Sequence, residues 1–357
     1  MSPKPKISRR SALASAAGLS ALGLAGCTGD SGESDSSNGG EQEVRVGTAG
    51  GGTGDSALAY ERAMSQHADE LSYSTIETQG NVASTYSIDE GAFDAIFTDR
   101  NAMFQAQTQA GPFEDTPVDT LPWQAFRAFP YIIFIVARED TGIETLDDLR
   151  GANFYPAQPG YSTRALTLSI FEDPELEDLL DDMEIVDANV DDAPGLMEEG
   201  RIDASIAYGT PGIGMTGFAT QFDARVNLNY VEESPGLQTA AENYGGAGTA
   251  TASVDSLQLE NDFRADEVFG WTFEVGVGIR HDTPNDVAYE MTRVAHEHNE
   301  TIREAEPRFD EIDSAEGLTQ MAIEDYPWHP GVAEYLQDHD AWNDDWIIGE
   351  EPGEHFM

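Results

Sequence analysis

The sequence contains a single cysteine, Cys27, so no disulfide bond can form within the chain. Its only lysines are Lys4 and Lys6, whereas all 67 acidic residues lie after residue 26 together with 14 arginines. The formal net charge is −49 at pH 7. A surface of this sign repels the phosphate backbone, and nucleic acid is therefore excluded as a partner.

The acidic residues are interleaved with periodic apolar residues along the chain. Acidic runs without such periodicity are typical of disordered tails, so this distribution predicts a folded protein with an acidic surface. A composition rich in acids and poor in lysine resembles that of proteins from extreme halophiles. In molar salt the Debye length is about 3 Å, which makes such a surface tolerable.

The apolar stretch at residues 11–26 is too short and too polar for a stable membrane span, and it follows basic residues. This arrangement predicts a secretory signal. Residues 8–13 fit a twin-arginine export motif, and residues 24–27 fit a lipoprotein processing box. Cys27 would then carry the lipid and anchor the protein to the outer face of the membrane. The alternative for a lone cysteine is a buried thiol.

Residues 28–42 are rich in Gly, Ser and acids without apolar periodicity, which predicts a flexible tether. The remaining chain is long enough for two lobes with a core. We predict that residues 43–137 and 271–357 form lobe 1 and that residues 138–270 form lobe 2.

Alternating strand and helix patterns predict an α/β fold with a parallel sheet, whose ligands lie off the carboxyl ends of the strands. Three such ends converge, at residues 48–56, 79–81 and 98–101. The glycine-rich loop at residues 49–56 lacks both the Gly-Lys-Ser/Thr ending and the Rossmann spacing of nucleotide sites. It predicts either a cradle for a polar ligand or a plain tight turn. Helices are predicted over residues 57–71, 82–90, 165–171 and 286–304.

Residues 90–97 recur in a similar form at residues 199–206. In both copies a helix pattern ends at glycine, and a strand then begins with Asp-Ala. Two βαβ lobes with corresponding strand ends are the simplest explanation, and chance similarity is the alternative.

A buried strand is predicted over residues 131–137, because this apolar run is rich in β-branched residues. The Pro/Gly turn at residues 156–163 then leads into a helix. A helix N-terminus presents free N–H groups and a positive dipole, which suit a carboxylate. Residues 131–137 and 275–279 are the predicted connections between the lobes.

The order of these features resembles the solute receptors of TRAP transporters, in the TAXI branch, over nearly all of the chain after the tether. The resemblance depends on residues 48–56, 80–82, 94–99, 147–151, 159–163, 283–289 and 329–331. It implies two α/β lobes of the type II periplasmic-binding class, joined by crossing strands, with the solute in the cleft between them. It also implies an ion-gradient-driven TRAP permease as the membrane partner.

Two departures from that family concern the ligand. Asp55 and Ser56 stand where the family commonly has a bulky aromatic pair. The family's usual turn, Gly-Ser-Gly-Thr, is here Gly160-Tyr161-Ser162-Thr163, in which the second glycine is lost and a tyrosine is present. Both departures leave the identity of the solute open, and Tyr161 favours a flatter or more apolar solute.

The predicted ligand-binding residues come from the strand ends and the turn. Polar lining is expected from Gly52, Thr53, Asn81, Thr98, Asp99, Ser162, Thr163 and Thr210, with Tyr161 and Tyr208 as walls. Backbone N–H groups at Thr53 and at residues 162–163 would hold a carboxylate or amino acid. Arg100 and Arg164 either contact an acidic solute or pair with surface acids.

The leading interpretation is a monomeric, extracytoplasmic receptor that closes on a small solute and delivers it to a TRAP permease. The alternatives are a receptor of an ATP-driven importer, an extracellular enzyme, or a sensor domain. Seven histidines are present, but none of the common metal or nucleophile motifs appears. We therefore expect no catalytic residue, no metal and no cofactor.

Overall fold

The computed structural model describes residues 42–68, 71–176, 178–260 and 263–350, all within one compact unit, Gly40–Met357. The predicted signal, Cys27 and nearly all of the tether lie outside the described residues.

The described residues form eleven strands and eleven α-helices. The strands are β1 Gln42–Thr48, β2 Leu71–Glu77, β3 Ala95–Asp99, β4 Trp123–Arg138, β5 Asn153–Tyr155, β6 Glu184–Ile185, β7 Ala204–Thr210, β8 Gly214–Met215, β9 Leu228–Tyr230, β10 Thr249–Ser253 and β11 Glu267–Ile279. The helices are α1 Gly52–His67, α2 Asn81–Asp89, α3 Arg100–Thr108, α4 Ser162–Phe171, α5 Leu179–Asp182, α6 Ala193–Glu198, α7 Gly217–Arg225, α8 Pro235–Asn243, α9 Asn285–Glu297, α10 Asn299–Ala305 and α11 Pro330–Asp338.

One sheet joins the strands in the order β2-β1-β3-β11-β4-β7-β5-β6, with β10 on β11, β8 on β7 and β9 on β4. At one end β1 runs parallel to β2 and β3, and at the other end β5 runs parallel to β6 and β7. Each parallel set alternates with helices. The predicted α/β class is confirmed.

The similarity between residues 90–97 and 199–206 corresponds to repeated structure. Gly91 and Gly200 each follow a helix with φ of 75°, the left-handed conformation that favours glycine. Asp94 then accepts the N–H of Arg45 at 2.8 Å, and Asp203 accepts that of Asn153 at 3.0 Å. Each carboxylate thereby attaches the start of its own strand to the central strand of its parallel set.

Two long antiparallel strands, β4 and β11, lie in the middle of the sheet. The first part of β4 pairs with β11 and its last part pairs with β7, while β11 also pairs with β3 and β10. Residues 131–137 are all buried and belong to the main hydrophobic core. Both strands are longer than the sequence predicts, and the lobe boundaries themselves stay a prediction.

Several element boundaries differ from the prediction. Helix α1 begins at Gly52 instead of residue 57, so the last part of the glycine-rich loop is already helical. The helix predicted over residues 286–304 is divided at His298 into α9 and α10. No helix in the part of the chain that the structure describes is long and apolar enough to span a membrane.

Candidate functional site

A cavity of about 850 Å³ opens at the carboxyl ends of both parallel sets of strands. Its walls come from the turns before α1, α2, α4 and α7, with additional side chains from β4, β7 and β11. The lining residues are Ala49, Gly50, Gly51, Gly52, Thr53, Thr78, Gln79, Gly80, Asn81, Tyr131, Gly160, Tyr161, Ser162, Thr163, Val190, Asp191, Tyr208, Ile213, Gly214, Met215, Thr216, Gly217, Phe218, Gln221, Phe273 and Arg308.

Four α-helices begin at this cavity, and none of the four has a side-chain cap. The residues that precede them are Gly51, Gly80, Tyr161 and Thr216. Side chains of Asp99, Ser234 and His329 cap the starts of α3, α8 and α11, which do not line the cavity. Helices α5, α6, α9 and α10 also begin without a side-chain cap. An uncapped start leaves backbone donors and the positive end of the helix dipole available to an anion.

The start of α1 lies against Tyr131 and Arg308. A Cβ atom at Gly52 would lie 2.5 Å from the Tyr131 hydroxyl and 2.7 Å from Arg308 Nη1. Glycine is therefore required there for close approach. Arg308 Nη1 donates to the Tyr131 hydroxyl at 2.9 Å, which leaves the hydroxyl proton of Tyr131 available to another acceptor.

The charge of Arg308 is already compensated by neighbouring carboxylates. Glu306 accepts from Nε and Nη2 at 2.7 Å each, and Asp55 accepts from Nη2 at 2.9 Å. The hydrogen bonds to Glu306 are the main reason that the pKa of Arg308 is raised. Among the described lining residues Arg308 is the only cation, so the cavity offers an anion mostly neutral donors.

Asn81 opens α2 and lies between the cavity and the buried Asp99. Its Nδ2 donates to Asp99 Oδ2, while Asp99 Oδ1 accepts the N–H of Ala102 at 2.9 Å. Asn81 Oδ1 is buried without a hydrogen-bond partner. Burial raises the pKa of the Asp99 carboxyl, and hydrogen bonds from Ala102, Asn81 and Ser162 oppose that shift.

Aromatic side chains form part of the cavity wall. The Tyr208 ring lies 5.4 Å from the Tyr131 ring and 5.1 Å from the Phe218 ring. Burial is the main cause of the raised pKa of Tyr208, so its hydroxyl stays protonated. Tyr161 is exposed at the cavity mouth. The cavity thus combines polar donors with apolar ring surface.

Seven of the ten predicted ligand-binding residues line the cavity: Gly52, Thr53, Asn81, Tyr161, Ser162, Thr163 and Tyr208. Thr98, Asp99 and Thr210 do not, although all three are buried. Thr98 and Asp99 end β3 behind Asn81, and the Thr210 hydroxyl donates to the carbonyl of Pro130 at 3.2 Å. A role for these three residues in ligand binding stays a prediction.

The two arginines considered as solute contacts point elsewhere. Arg100 pairs with Glu274 at 2.9 Å, and Arg164 pairs with Asp187 at 2.7 Å. Neither lines the cavity, so the alternative of pairing with acids of the protein holds.

Sequence reasoning missed Arg308, Tyr131, Phe273 and the turn before α7. Tyr131 was assigned only to a crossing strand, and no local pattern marks Arg308 as part of the cavity, because its contacts with Tyr131 and Asp55 join distant parts of the sequence. The weak signal for the turn before α7 is the Gly/Thr-rich run at residues 209–217.

Comparison with protein families gives one match, the NMT1-like family, over residues 46–339. The chain belongs to the NMT1-like family. A comparison with curated proteins finds no match.

Solved structures give distant likenesses to this NMT1-like protein. The periplasmic aliphatic sulphonate binding protein SsuA from Escherichia coli has a TM-score of 0.43 and 12% identity, covering 84% of each chain. A putative L-cystine ABC transporter from Listeria monocytogenes has a TM-score of 0.39 and 11% identity, covering 74% of this chain and 94% of that one. A probable amino-acid ABC transporter extracellular-binding protein from Bacillus subtilis has a TM-score of 0.40 and 10% identity, covering 74% and 95%.

Two of these descriptions name ABC transporters. At TM-scores below 0.5, these likenesses decide neither the solute nor the membrane partner of this chain.

Proposed function

We propose that this NMT1-like protein is an extracytoplasmic receptor that binds a small organic acid in the cavity and delivers it to a membrane importer. The observation that carries the proposal is the convergence of four uncapped helix starts on one cavity. Each start offers backbone donors, and together they replace the hydration of an anionic group without a free cationic side chain.

Binding is coupled to closure of the two predicted lobes about β4 and β11. Contacts across the predicted boundary include the Tyr244 hydroxyl donating to Asn101 Oδ1 at 2.6 Å and Arg100 Nε donating to the carbonyl of Gly245 at 3.0 Å. A solute that touches both sets of helix starts stabilises the closed arrangement over the open one. The importer then recognises that arrangement.

The cavity dimensions and lining indicate the kind of solute. Polar donors gather at the helix starts, while Tyr131, Tyr208, Phe218 and Phe273 provide ring surface. We therefore propose a carboxylate or amino acid with an apolar or flat body. The proposed contacts include Gly52, Thr53, Asn81, Ser162 and Thr163.

The membrane partner that we favour is an ATP-driven importer, in agreement with the ABC transporters named among the structural likenesses. The resemblance to TAXI receptors makes a TRAP permease the second candidate. Reconstitution of the receptor with each permease in vesicles distinguishes them, since uptake driven by ATP requires the first and uptake driven by an ion gradient requires the second. Lipid attachment at Cys27 would keep the receptor at the outer face of the membrane.

Filling the cavity tests the proposed site. Gly217 begins α7 and lines the cavity, and a Cβ atom there would meet no atom within 4 Å. Gly217→Trp should therefore fold normally while its indole occupies the solute volume. A screen of carboxylates and amino acids by thermal shift in molar salt, followed by calorimetry, should show binding to the wild type and none to the variant. Saturating solute at 100 times Kd stabilises a protein by about 2.7 kcal/mol.

A matched control is Leu58→Trp, which adds the same side chain on α1 at a position that is 58% exposed and away from the cavity. It should bind like the wild type. Equal binding by Gly217→Trp would place the solute elsewhere, and turnover of the bound solute would replace the receptor function by an enzyme.

A further inference from the structure

Asn81 is held in one orientation by Asp99. Asp99 Oδ2 accepts a hydrogen bond from Asn81 Nδ2, so the nitrogen of the Asn81 amide is turned toward Asp99. Asp99 cannot turn away, because its other oxygen caps α3 through the N–H of Ala102 at 2.9 Å. The Oδ1 atom of Asn81 is thereby directed away from Asp99 and is left without a partner.

This unpartnered acceptor belongs to a residue of the cavity wall. Asn81 is only 4% exposed and lies at the uncapped start of α2, where the backbone N–H groups suit the anionic group of the solute. A buried acceptor without a partner is costly, and a solute that supplies a donor removes that cost. The Asn81 acceptor and the backbone donors belong to the same helix start. A solute that uses both must therefore carry its hydrogen-bond donor next to its acid group.

Resting on the proposed function, we infer that Asp99 fixes the Asn81 amide so that Oδ1 accepts a hydrogen bond from the solute. The site thereby selects acids that carry a hydroxyl or ammonium group beside the carboxylate over the corresponding keto acids. Asn81 is the specificity-determining contact, and Asp99 is a positioning residue that acts through it. A keto oxygen at the same place would face Asn81 Oδ1 as a second acceptor, and no hydrogen bond could form between them.

Three acids with one carbon skeleton test this selection. Phenyllactate, phenylalanine and phenylpyruvate share a ring that suits the aromatic wall and differ only beside the carboxylate; the leucine series provides an aliphatic set. Calorimetry with the full chain in molar salt should give phenyllactate or phenylalanine an affinity about tenfold or more above that of phenylpyruvate. Which of the two binds more tightly identifies the donor as hydroxyl or ammonium.

Asp99→Asn should invert the preference. The new amide keeps an oxygen for the N–H of Ala102 and turns its own NH₂ toward Asn81. Asn81 must then rotate its Oδ1 toward residue 99 and present Nδ2 to the cavity, which favours the keto acid. A purely structural role for Asp99 would instead weaken binding of all three acids by the same factor.

Asn81→Leu removes the amide and should bring the three affinities to within about twofold of one another, whether or not Asp99→Asn folds. Asn229→Leu is the matched control, since Asn229 is also buried with an unpartnered Oδ1 but does not line the cavity. The Asn229→Leu variant should discriminate among the three acids as the wild type does. Circular dichroism checks that each variant is folded.

The outcomes separate the two proposals. If the wild type binds these acids without discrimination, or binds the keto acid most tightly, the selection by Asn81 is overturned while the receptor function stands. If Asn81→Leu discriminates as the wild type does, the selection has another origin and the inference is wrong. If no acid of the wider screen binds, the proposed function fails and the inference fails with it.

Discussion

His329 shows how burial and two hydrogen bonds determine one protonation state. Its Nδ1 accepts the N–H of Gly331 at 3.2 Å, and its Nε2 lies 3.1 Å from the carbonyl of Thr283. Nδ1 therefore carries no proton while Nε2 does, which is the neutral form. Burial is the main reason that the pKa of His329 falls to about 4.

This lowered pKa predicts a loss of stability in acid. The unfolded chain binds a proton at His329 near pH 6.5, whereas the folded chain binds it only near pH 4. The stability that neutral His329 contributes is therefore fully present above pH 6.5 and is lost as the pH falls to 4. The free energy of unfolding should fall by roughly 3 kcal/mol through this residue. Denaturant titrations of the wild type and of His329→Gln check this, since the variant should lack that part of the decline. Parallel declines in both proteins would assign the acid sensitivity to other groups.

The repeated helix ends at Gly91 and Gly200 offer a comparison within one molecule. Both have φ of 75°, where an added Cβ costs about 1 kcal/mol. At Gly91 that Cβ would lie 3.7 Å from Arg280 Nη1, an ordinary contact, whereas at Gly200 it would lie 2.7 Å from Arg138 Nη1. Gly200→Ala must therefore displace an arginine as well, and it should destabilise the protein more than Gly91→Ala does.

Chemical denaturation of both variants measures this difference. Gly195→Ala is a control, because Gly195 lies within helix α6 without positive φ and its Cβ would meet only Arg225 Nη1 at 3.9 Å. It should leave the stability unchanged or raise it slightly. Equal losses at Gly91 and Gly200 would show that the arginine moves without cost.

At the scale of elements, local periodicity was sufficient to predict the alternation of strands and helices and both copies of the repeat. It failed where glycine was counted as loop, as at the start of α1, since Gly52 is helical and is needed for contact with Tyr131. It also failed for Arg308, whose contacts with Tyr131 and Asp55 join distant parts of the chain. Such contacts depend on the tertiary fold, and a single sequence carries no local signal for them.

The whole molecule carries a formal charge of −49, which opposes compaction at low ionic strength. We expect the thermal midpoint to rise between 0.1 and 3 M NaCl, roughly the range over which the Debye length falls from 10 Å to below 3 Å. Scanning calorimetry measures that rise. A variant with three exposed acids neutralised, Glu172→Gln, Glu175→Gln and Asp181→Asn, should gain less from salt. A midpoint that does not change with salt would contradict the electrostatic explanation.

The position of β11 in the sheet has a consequence for how the chain is made. This strand separates β3 from β4, yet it is the last of the eleven strands in the described chain. Until residue 279 has been synthesised, neighbouring edges of β3 and β4 are therefore open, and their unpaired N–H and C=O groups can attract other chains. Closure of the sheet must wait for this long-range pairing, which is intrinsically slow. Nascent chains that end before β11 should thus be the species most dependent on chaperones.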